Sequence, residues 1–358
     1  MRVAVIYNEP RAAPANQRWL HDRTSGGGHL PANACDIAEF SILHQVDVVT
    51  RALVEEGHET IPFGVDDAMR LAAFLESDRP DIIFNCCESL HRNAALEMNV
   101  AALYELLAIP FTGSPARTLA LSLNKEHAKA IFRASGLLTP RHAVFHPRRP
   151  MSAQNLSFPL IVKPLCEDAS IGIDDDSVVD TEQDMHRRVR FIWTAFEQPA
   201  LVEEFIDGRE LNVAVLATSA DELVALPVSE IVFGELPRRI VGYEAKWMVD
   251  SPRYQATTPR CPADLPPALT AAAQAMAVQA ARALGLRDYG RIDLRVREDG
   301  AVFVLEANPN PDIGFDSGFV RASAAGGRTH ATVISGILAR AAERGGLAAT
   351  IEVAVGAS

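Results

Sequence analysis

No apolar run in this sequence is long enough to cross a bilayer. The apolar start Met1-Arg2-Val3-Ala4-Val5-Ile6-Tyr7 turns polar at Asn8, too soon for the core of a secretion signal, and suits a buried first strand. Basic residues are in deficit, with 34 Lys and Arg against 46 Asp and Glu, for a formal net charge of −12. Such a chain repels the phosphates of nucleic acid and of anionic membranes, so neither is expected as a partner. A phosphate ligand in a local basic pocket is still allowed. Cysteine is sparse and odd in number (Cys35, Cys86, Cys87, Cys166 and Cys261), and none has CxxC spacing. Reduced structural thiols and a cytoplasmic location are the expectation. No internal repeat is present.

What is present is globular. Hydrophobic residues make up 48% and charged residues 22%, which excludes wholesale disorder. At 358 residues the chain exceeds one simple core. Val3 to Tyr7 reads as a strand, Ile37 to Glu56 as a helix stopped by Gly57, Pro80 to Asn85 as a second buried strand, and Leu96 to Leu107 as a helix. This alternation predicts a parallel sheet with helices on both faces. A helix is expected over Leu123 to Ser135, and strands dominate from Phe158. Two later helices are expected over Ala268 to Leu284 and Ala331 to Arg344. The loop from Glu9 to Asp36 is long enough to be a substrate lid. Its Gly26-Gly27-Gly28 lacks the strand-to-helix context of a nucleotide loop.

The segment from Tyr289 to Pro309 carries the most chemistry. Asp299-Gly300 between alternating runs signals a hairpin. A two-residue turn there sets Asp293 opposite Glu306 and Arg291 opposite Asn308, so the four converge on one face. Opposed carboxylates need a cation, and oxygen ligands from Asp, Glu and Asn suit Mg²⁺. The rival reading is a surface hairpin salted by Arg295 and Arg297. Lys163 ends an apolar strand, either as a snorkelling residue or as a cation facing a ligand. The small, polar stretch Glu167 to Gly172 can fold its amides over phosphates.

Taken in order, these segments resemble the ATP-grasp superfamily, and within it the D-alanine–D-alanine ligase family, from about Leu107 to the last helix. The matching stretches are Ile109 to Ser114, Leu123 to Lys129, Val162-Lys163-Pro164, Val202 to Glu210, Tyr243 to Trp247, the hairpin, and Asn308 to Ser317. The resemblance implies an α/β and α+β chain, an ATP-grasp fold with an N-terminal doubly wound parallel-sheet domain. Its expected parts are residues 1–117, a small lid over 118–204, and a metal-binding part over 205–358. It implies that Lys125 and Lys163 hold ATP phosphates and that Lys246 reaches the γ-phosphate. Glu203, Glu204, Phe205 and Ile206 would flank adenine, and Glu210 would take the ribose hydroxyls. Asp293, Glu306 and Asn308 would bind two Mg²⁺ ions, and Arg291 would stabilise charge at the acyl centre. The implied reaction is ADP-forming: a carboxylate becomes an acyl phosphate and an amine displaces the phosphate. A homodimer is the family expectation.

The sequence also departs from that family. Of two serines in the loop after Lys163-Pro164, the first is Ala169, and Ser170 remains as a catalytic candidate. Trp247 stands where a tyrosine is usual. The family's serine and tyrosine form a hydrogen-bonded set with a glutamate, for which Glu39 is the nearest candidate. Ala and Trp cannot supply those hydroxyls, so the amino-substrate end reads as rebuilt. The family's glycine-rich His-Gly segment is replaced by Asn85 to Asn93, where Glu88, with Glu97 just beyond it, could grip a substrate ammonium or pair with Arg92. Ser317 falls where the family binds a second carboxylate. Amino-acid-like substrates are therefore expected, with D-alanine itself as the alternative, and a non-catalytic ATP-binding protein as the rival from another class.

Overall fold

The computed structural model describes residues 1–10, 34–147, 149, 155–219 and 222–347, except for the side chains of 34–39. Most of the proposed loop lid and the side chains of Cys35 and Glu39 lie outside these. The chain begins with β1 (Arg2–Asn8), α1 (Ala34–Glu55), β2 (Glu59–Val65), α2 (Ala68–Ser77), β3 (Ile82–Asn85) and α3 (Glu97–Leu106). The strands form a parallel sheet in the order β2-β1-β3. Strand periodicity splits β1 between two cores. Val3 and Val5 pack with α1, while Ala4 and Ile6 pack with α2 and α3 on the other face. This is the doubly wound arrangement the sequence predicts. Strand β2 was not legible: it is an edge strand, more polar than β1, and carries Pro62, which only an edge tolerates well.

Next come α4 (Ala116–Leu123) and α5 (Lys125–Ala134), then β4 (His142–Phe145), β5 (Leu160–Pro164), β6 (Val178–Val179), α6 (Glu182–Phe196) and β7 (Ala200–Glu204). The expected helix over Leu123 to Ser135 forms as α5, with an unexpected α4 before it and the break between them at Asn124. Its side chain leaves the helical path and caps α5, accepting from the His127 N–H at 3.1 Å. Strands β4-β7-β5-β6 form a small antiparallel sheet backed by α6, whose Met185, Val189 and Ile192 are fully buried.

The remainder contains β8 (Arg209–Ala217), β9 (Leu223–Ala225), β10 (Ser229–Phe233), α7 (Tyr243–Trp247), α8 (Pro252–Gln255), β11 (Thr257–Arg260), α9 (Pro267–Leu284), β12 (Tyr289–Val296), β13 (Val302–Asn308), α10 (Gly318–Ala325) and α11 (His330–Arg344). Six strands make an antiparallel sheet ordered β11-β10-β8-β12-β13, with β9 on β8. Helix α9 buries Ala273, Ala277, Ala280 and Ala281 against it, a small-residue face that permits close approach.

The β12–β13 hairpin departs from expectation and then recovers it. Its loop has three residues, Glu298-Asp299-Gly300, closed by the Gly300 N–H donating to the Arg297 carbonyl at 2.9 Å. Gly300 takes φ +83°, the left-handed position this loop requires. That shifts the register by one, so Val296 faces Val302 and Leu294 faces Val304. A β-bulge at Leu305 shifts it back. Asp293 then faces Glu306 and Arg291 faces Asn308, as the sequence predicts.

One buried ion pair ties the first sheet region to the last helix. Asp288, 2% exposed, pairs with Arg344 through two contacts of 2.5 and 2.9 Å and accepts the Gly113 N–H at 2.7 Å. Arg344→Ala would strand the Asp288 carboxylate. We expect a loss on the order of 2 kcal/mol, below the fully buried case because Arg344 is partly exposed. A urea unfolding midpoint equal to that of the unaltered protein would contradict this.

Candidate active site

A cavity of about 820 Å³ opens between the small sheet and the six-stranded sheet. Its lining includes the apolar Ile161, Phe205, Ile206, Ile231 and Ile240 and the charged Lys163, Lys246, Arg291, Asp293 and Glu306. Apolar walls with a few convergent charged groups are the usual make-up of a small-molecule site.

Buried charge supports the cavity wall. Lys163 on β5 and Glu203 on β7 are diagonal neighbours across the ladder, with Ile161 opposite Glu203. The Lys163 ammonium lies 2.6 Å from one Glu203 oxygen, and Lys129 of α5 lies 2.7 Å from the other. Lys129 is fully buried. It also donates to the Thr139 hydroxyl at 3.0 Å and to the Leu305 carbonyl, on the bulged residue, at 3.2 Å. Burial pushes the Glu203 carboxyl up, but Lys129 and Lys163 outweigh it and hold the group down to about 2. Burial lowers Lys129 to about 8 against the pull of Glu203. Glu203, Glu204, Phe205 and Ile206 all line the cavity; the Glu203 carboxylate is held by the two lysines, and Glu204 accepts from the Ser157 N–H at 2.9 Å. Arg295 braces Phe205 and Ile206, with its guanidinium 5.0 Å from the Phe205 ring centre and donating to the Ile206 carbonyl at 3.1 Å. Arg295 also contacts Glu210 at 2.5 Å, leaving the second Glu210 oxygen for another donor.

Among the charged residues, Arg291 grips Asp293 through two contacts of 2.7 and 2.9 Å, and Asn212 adds a third at 2.8 Å. Glu306 lies 3.7 Å from Lys125, which also donates to the Glu167 carbonyl. Burial raises the Glu306 carboxyl, but Lys125, Lys163 and Arg291 hold it below its ordinary value. Lys246, on α7, is lowered by burial and then by Arg291. Among the described residues, no carboxylate lies within ion-pairing distance of Lys246, whose ammonium sits 5.0 Å from the Trp247 ring centre. Ser170 lines the same cavity, on a loop where Ala169 and Ser170 take φ +52° and +61°.

A smaller cavity of about 40 Å³ lies on the far side of Arg291 and Glu306. Glu88, Glu97, Lys125 and Asn308 line it. The three expected metal ligands thus bracket the wall between the cavities: Asp293 on the large one, Asn308 on the small one, Glu306 on both. The Asn308 side-chain oxygen accepts from the Asn310 N–H at 2.9 Å. Glu97 is 7% exposed and accepts from Asn310 at 3.1 Å, and burial raises its carboxyl well above the usual range. Ser317 caps α10, accepting from the Val320 N–H at 3.2 Å; its neighbours Asp316 and Gly318, rather than Ser317 itself, line the large cavity.

Sequence reasoning missed Lys129, Arg295 and Asn212. Lys129 is four residues after Lys125 on one helix face, and Arg295 continues the alternation of Arg291 and Asp293. Both spacings were legible. Asn212 reaches Asp293 only through the β8–β12 ladder.

The fold and this site define an ATP-grasp ligase, a class that uses ATP to form carbon–nitrogen bonds. The family model for the D-ala D-ala ligase C-terminus matches residues 136–339. A D-alanine–D-alanine ligase of Bordetella petrii is 33% identical over 296 residues, covering 82% of this chain and 85% of the relative. The protein y4sG of Sinorhizobium fredii is 34% identical over 300 residues, with the same coverage of 82% and 85%. Among solved structures, the D-alanine–D-alanine ligase of Bacillus anthracis complexed with ATP superposes at a TM-score of 0.72. Its identity is 18%, over 97% of this chain and 99% of that one. The VanG D-Ala:D-Ser ligase of Enterococcus faecalis gives 0.69 at 19% identity, over 95% and 99%. The chain belongs to the D-alanine–D-alanine ligase family. Among the described residues, no helix is long and apolar enough to cross a membrane.

The triad makes a pH prediction. The folded Glu203 carboxyl, at about 2, lies below its ordinary 4.5. Its contribution is therefore complete above the ordinary value and is lost as pH falls through the folded one. Glu203→Gln should destabilise by about 3 kcal/mol or more at neutral pH, because two buried lysines lose their anion. It should also flatten the acid limb of the stability curve. Equal acid limbs in chemical denaturation would refute the triad's role.

Proposed function

We propose that this chain is an ADP-forming ligase that activates a carboxylate as an acyl phosphate and joins it to an amine. Its substrates would be amino acids or amino-acid-like molecules. One observation carries the reading: Lys163, Lys246, Arg291, Asp293 and Glu306 line one cavity together with the apolar Phe205 and Ile206. Lys246, with no carboxylate partner among the described residues, suits a transferring phosphoryl group.

The donor set fits Mg²⁺. Two carboxylates and an amide oxygen stand on facing strands, and Glu306 is held in its anionic form. Bound there by Asp293, Glu306 and Asn308, the ions would neutralise phosphate charge and polarise the γ-phosphoryl group. In this reading Lys125 and Lys163 hold the phosphates, Phe205 and Ile206 enclose the base, and Glu210 takes the ribose. Lys246 steadies the γ-phosphate as the substrate carboxylate attacks it. ADP departs. The amine then attacks the acyl carbon, and Arg291 faces the oxyanion that develops before phosphate leaves. Ser170 and the loop amides beside it help to exclude water, which would otherwise hydrolyse the acyl phosphate. Glu88 and Glu97 line the small cavity with Arg291, and a substrate ammonium there would favour the ionised form of Glu97 that burial opposes.

The test is ADP and phosphate release from ATP, Mg²⁺ and a panel of amino acids, with mass spectra of the products. Stimulated release with a new amide supports the reading, while stimulation by D-alanine alone selects the D-alanyl-D-alanine alternative. Failure of every carboxylate and amine to stimulate release would leave only nucleotide binding.

Two substitutions sharpen the site. Glu306→Gln should abolish turnover and leave the thermal midpoint nearly unchanged; normal turnover at ordinary Mg²⁺ would remove the metal assignment. Ser317→Ala should raise KM for the second substrate more than for ATP. Equal changes in the two constants would reduce Ser317 to a helix cap.

A further inference from the structure

We propose that Trp247 is a positioning residue that joins the loop over residues 167–173 to the segment over 238–253 and orients Lys246, a role that rests on the ligase reading above. The indole Nε1–H donates to the Ala169 carbonyl at 3.1 Å, while the Lys246 ammonium sits 5.0 Å from the ring centre. One side chain thus braces both the loop over residues 167–173 and the lysine that faces the γ-phosphate. Its bond lands where the backbone needs support. Ala169 and Ser170 are consecutive non-glycine residues at φ +52° and +61°, a conformation that persists only when its surroundings over-determine it.

Further ties run alongside. The Tyr243 N–H donates to the Ile173 carbonyl at 2.8 Å. Arg253 pairs with Asp175, and Arg238 with Asp180. The segment over 238–253 is therefore tied to residues 169–180 at four points beside the large cavity. Ala169 offers no side-chain acceptor, so the contact uses its backbone oxygen, and a tryptophan supplies the ring donor that reaches it. The consequence is chemical. Losing the indole N–H frees the loop above the acyl phosphate and admits water, whereas the ring face alone keeps Lys246 near its place.

The test compares the full chain with Trp247→Phe and Trp247→His. Phenylalanine keeps a ring without the donor. Histidine carries an N–H at the equivalent ε position of its five-membered ring. Hydrogen–deuterium exchange is followed first without substrate. Trp247→Phe should exchange about fivefold faster over residues 167–173, the change expected for one lost hydrogen bond. Trp247→His should recover part of the protection. With ATP, Mg²⁺ and pooled amino acids, Trp247→Phe should release more ADP per amide formed while its kcat for ADP stays within about twofold, since Lys246 keeps a ring face. Unchanged exchange and coupling in Trp247→Phe would overturn the proposal, as would a histidine variant no better than phenylalanine. Exchange raised equally in the β1–β3 sheet would mean general loosening and would overturn it too. If the unaltered protein makes no ADP with any amino acid, the ligase reading fails, and the substrate-free exchange still decides whether Trp247 is the clasp.

Discussion

The Lys129–Glu203–Lys163 cluster is the constraint on which the large cavity depends. It joins α5, β5 and β7, and through the Leu305 carbonyl it reaches the β12–β13 hairpin. Removing so much charge from water is costly, and Coulomb attraction repays it only when every partner is in place. Glu203 satisfies both lysines, and Thr139 and Leu305 take up further Lys129 donors. One carboxylate between two ammonium groups leaves the wall with a surplus positive charge. That surplus favours an anionic ligand without requiring an exposed basic surface.

The same balance explains how a chain of net charge −12 can accept a polyphosphate. Its carboxylates and cations are sorted rather than averaged. Asp293 and Glu306 stand among Lys125, Arg291 and Asn212, so each acid is neutralised by neighbours that would be needed again once phosphate and metal arrive. Arg291 now grips Asp293. In the proposed reaction that grip would loosen as the metal takes the carboxylate, releasing the guanidinium toward the acyl centre. Much of the site is thus prepared by partnerships that substrates would exchange rather than create.

Much of this was legible in the sequence because it depends on period and order. The alternation of strands and helices predicted a parallel sheet with helices on both faces, and Asp-Gly predicted the hairpin. The expected facing pairs hold, although a three-residue loop and the Leu305 bulge replaced the simple turn. Two offsets that cancel cannot be read from alternation alone. The polar, proline-bearing β2 was invisible for a related reason, since edge strands need little hydrophobic pattern. Individual partners were harder still. Nothing local announces that Asn212 reaches Asp293 or that the Trp247 indole finds the Ala169 carbonyl, because those contacts exist only after sheets and loops have packed. The loss of a serine and a tyrosine hydroxyl at those last two positions read as a rebuilt substrate end. In the structure a different hydrogen bond joins the same two positions.

The central claim is that the substrate carboxylate itself attacks ATP. Labelling tests it directly. With both carboxylate oxygens of the acyl substrate enriched in ¹⁸O, turnover in the presence of ATP, Mg²⁺ and the amine should place one ¹⁸O in the released phosphate and retain the other in the amide carbonyl. Phosphate free of label, with the amide still formed, would contradict an acyl phosphate and the account built on it.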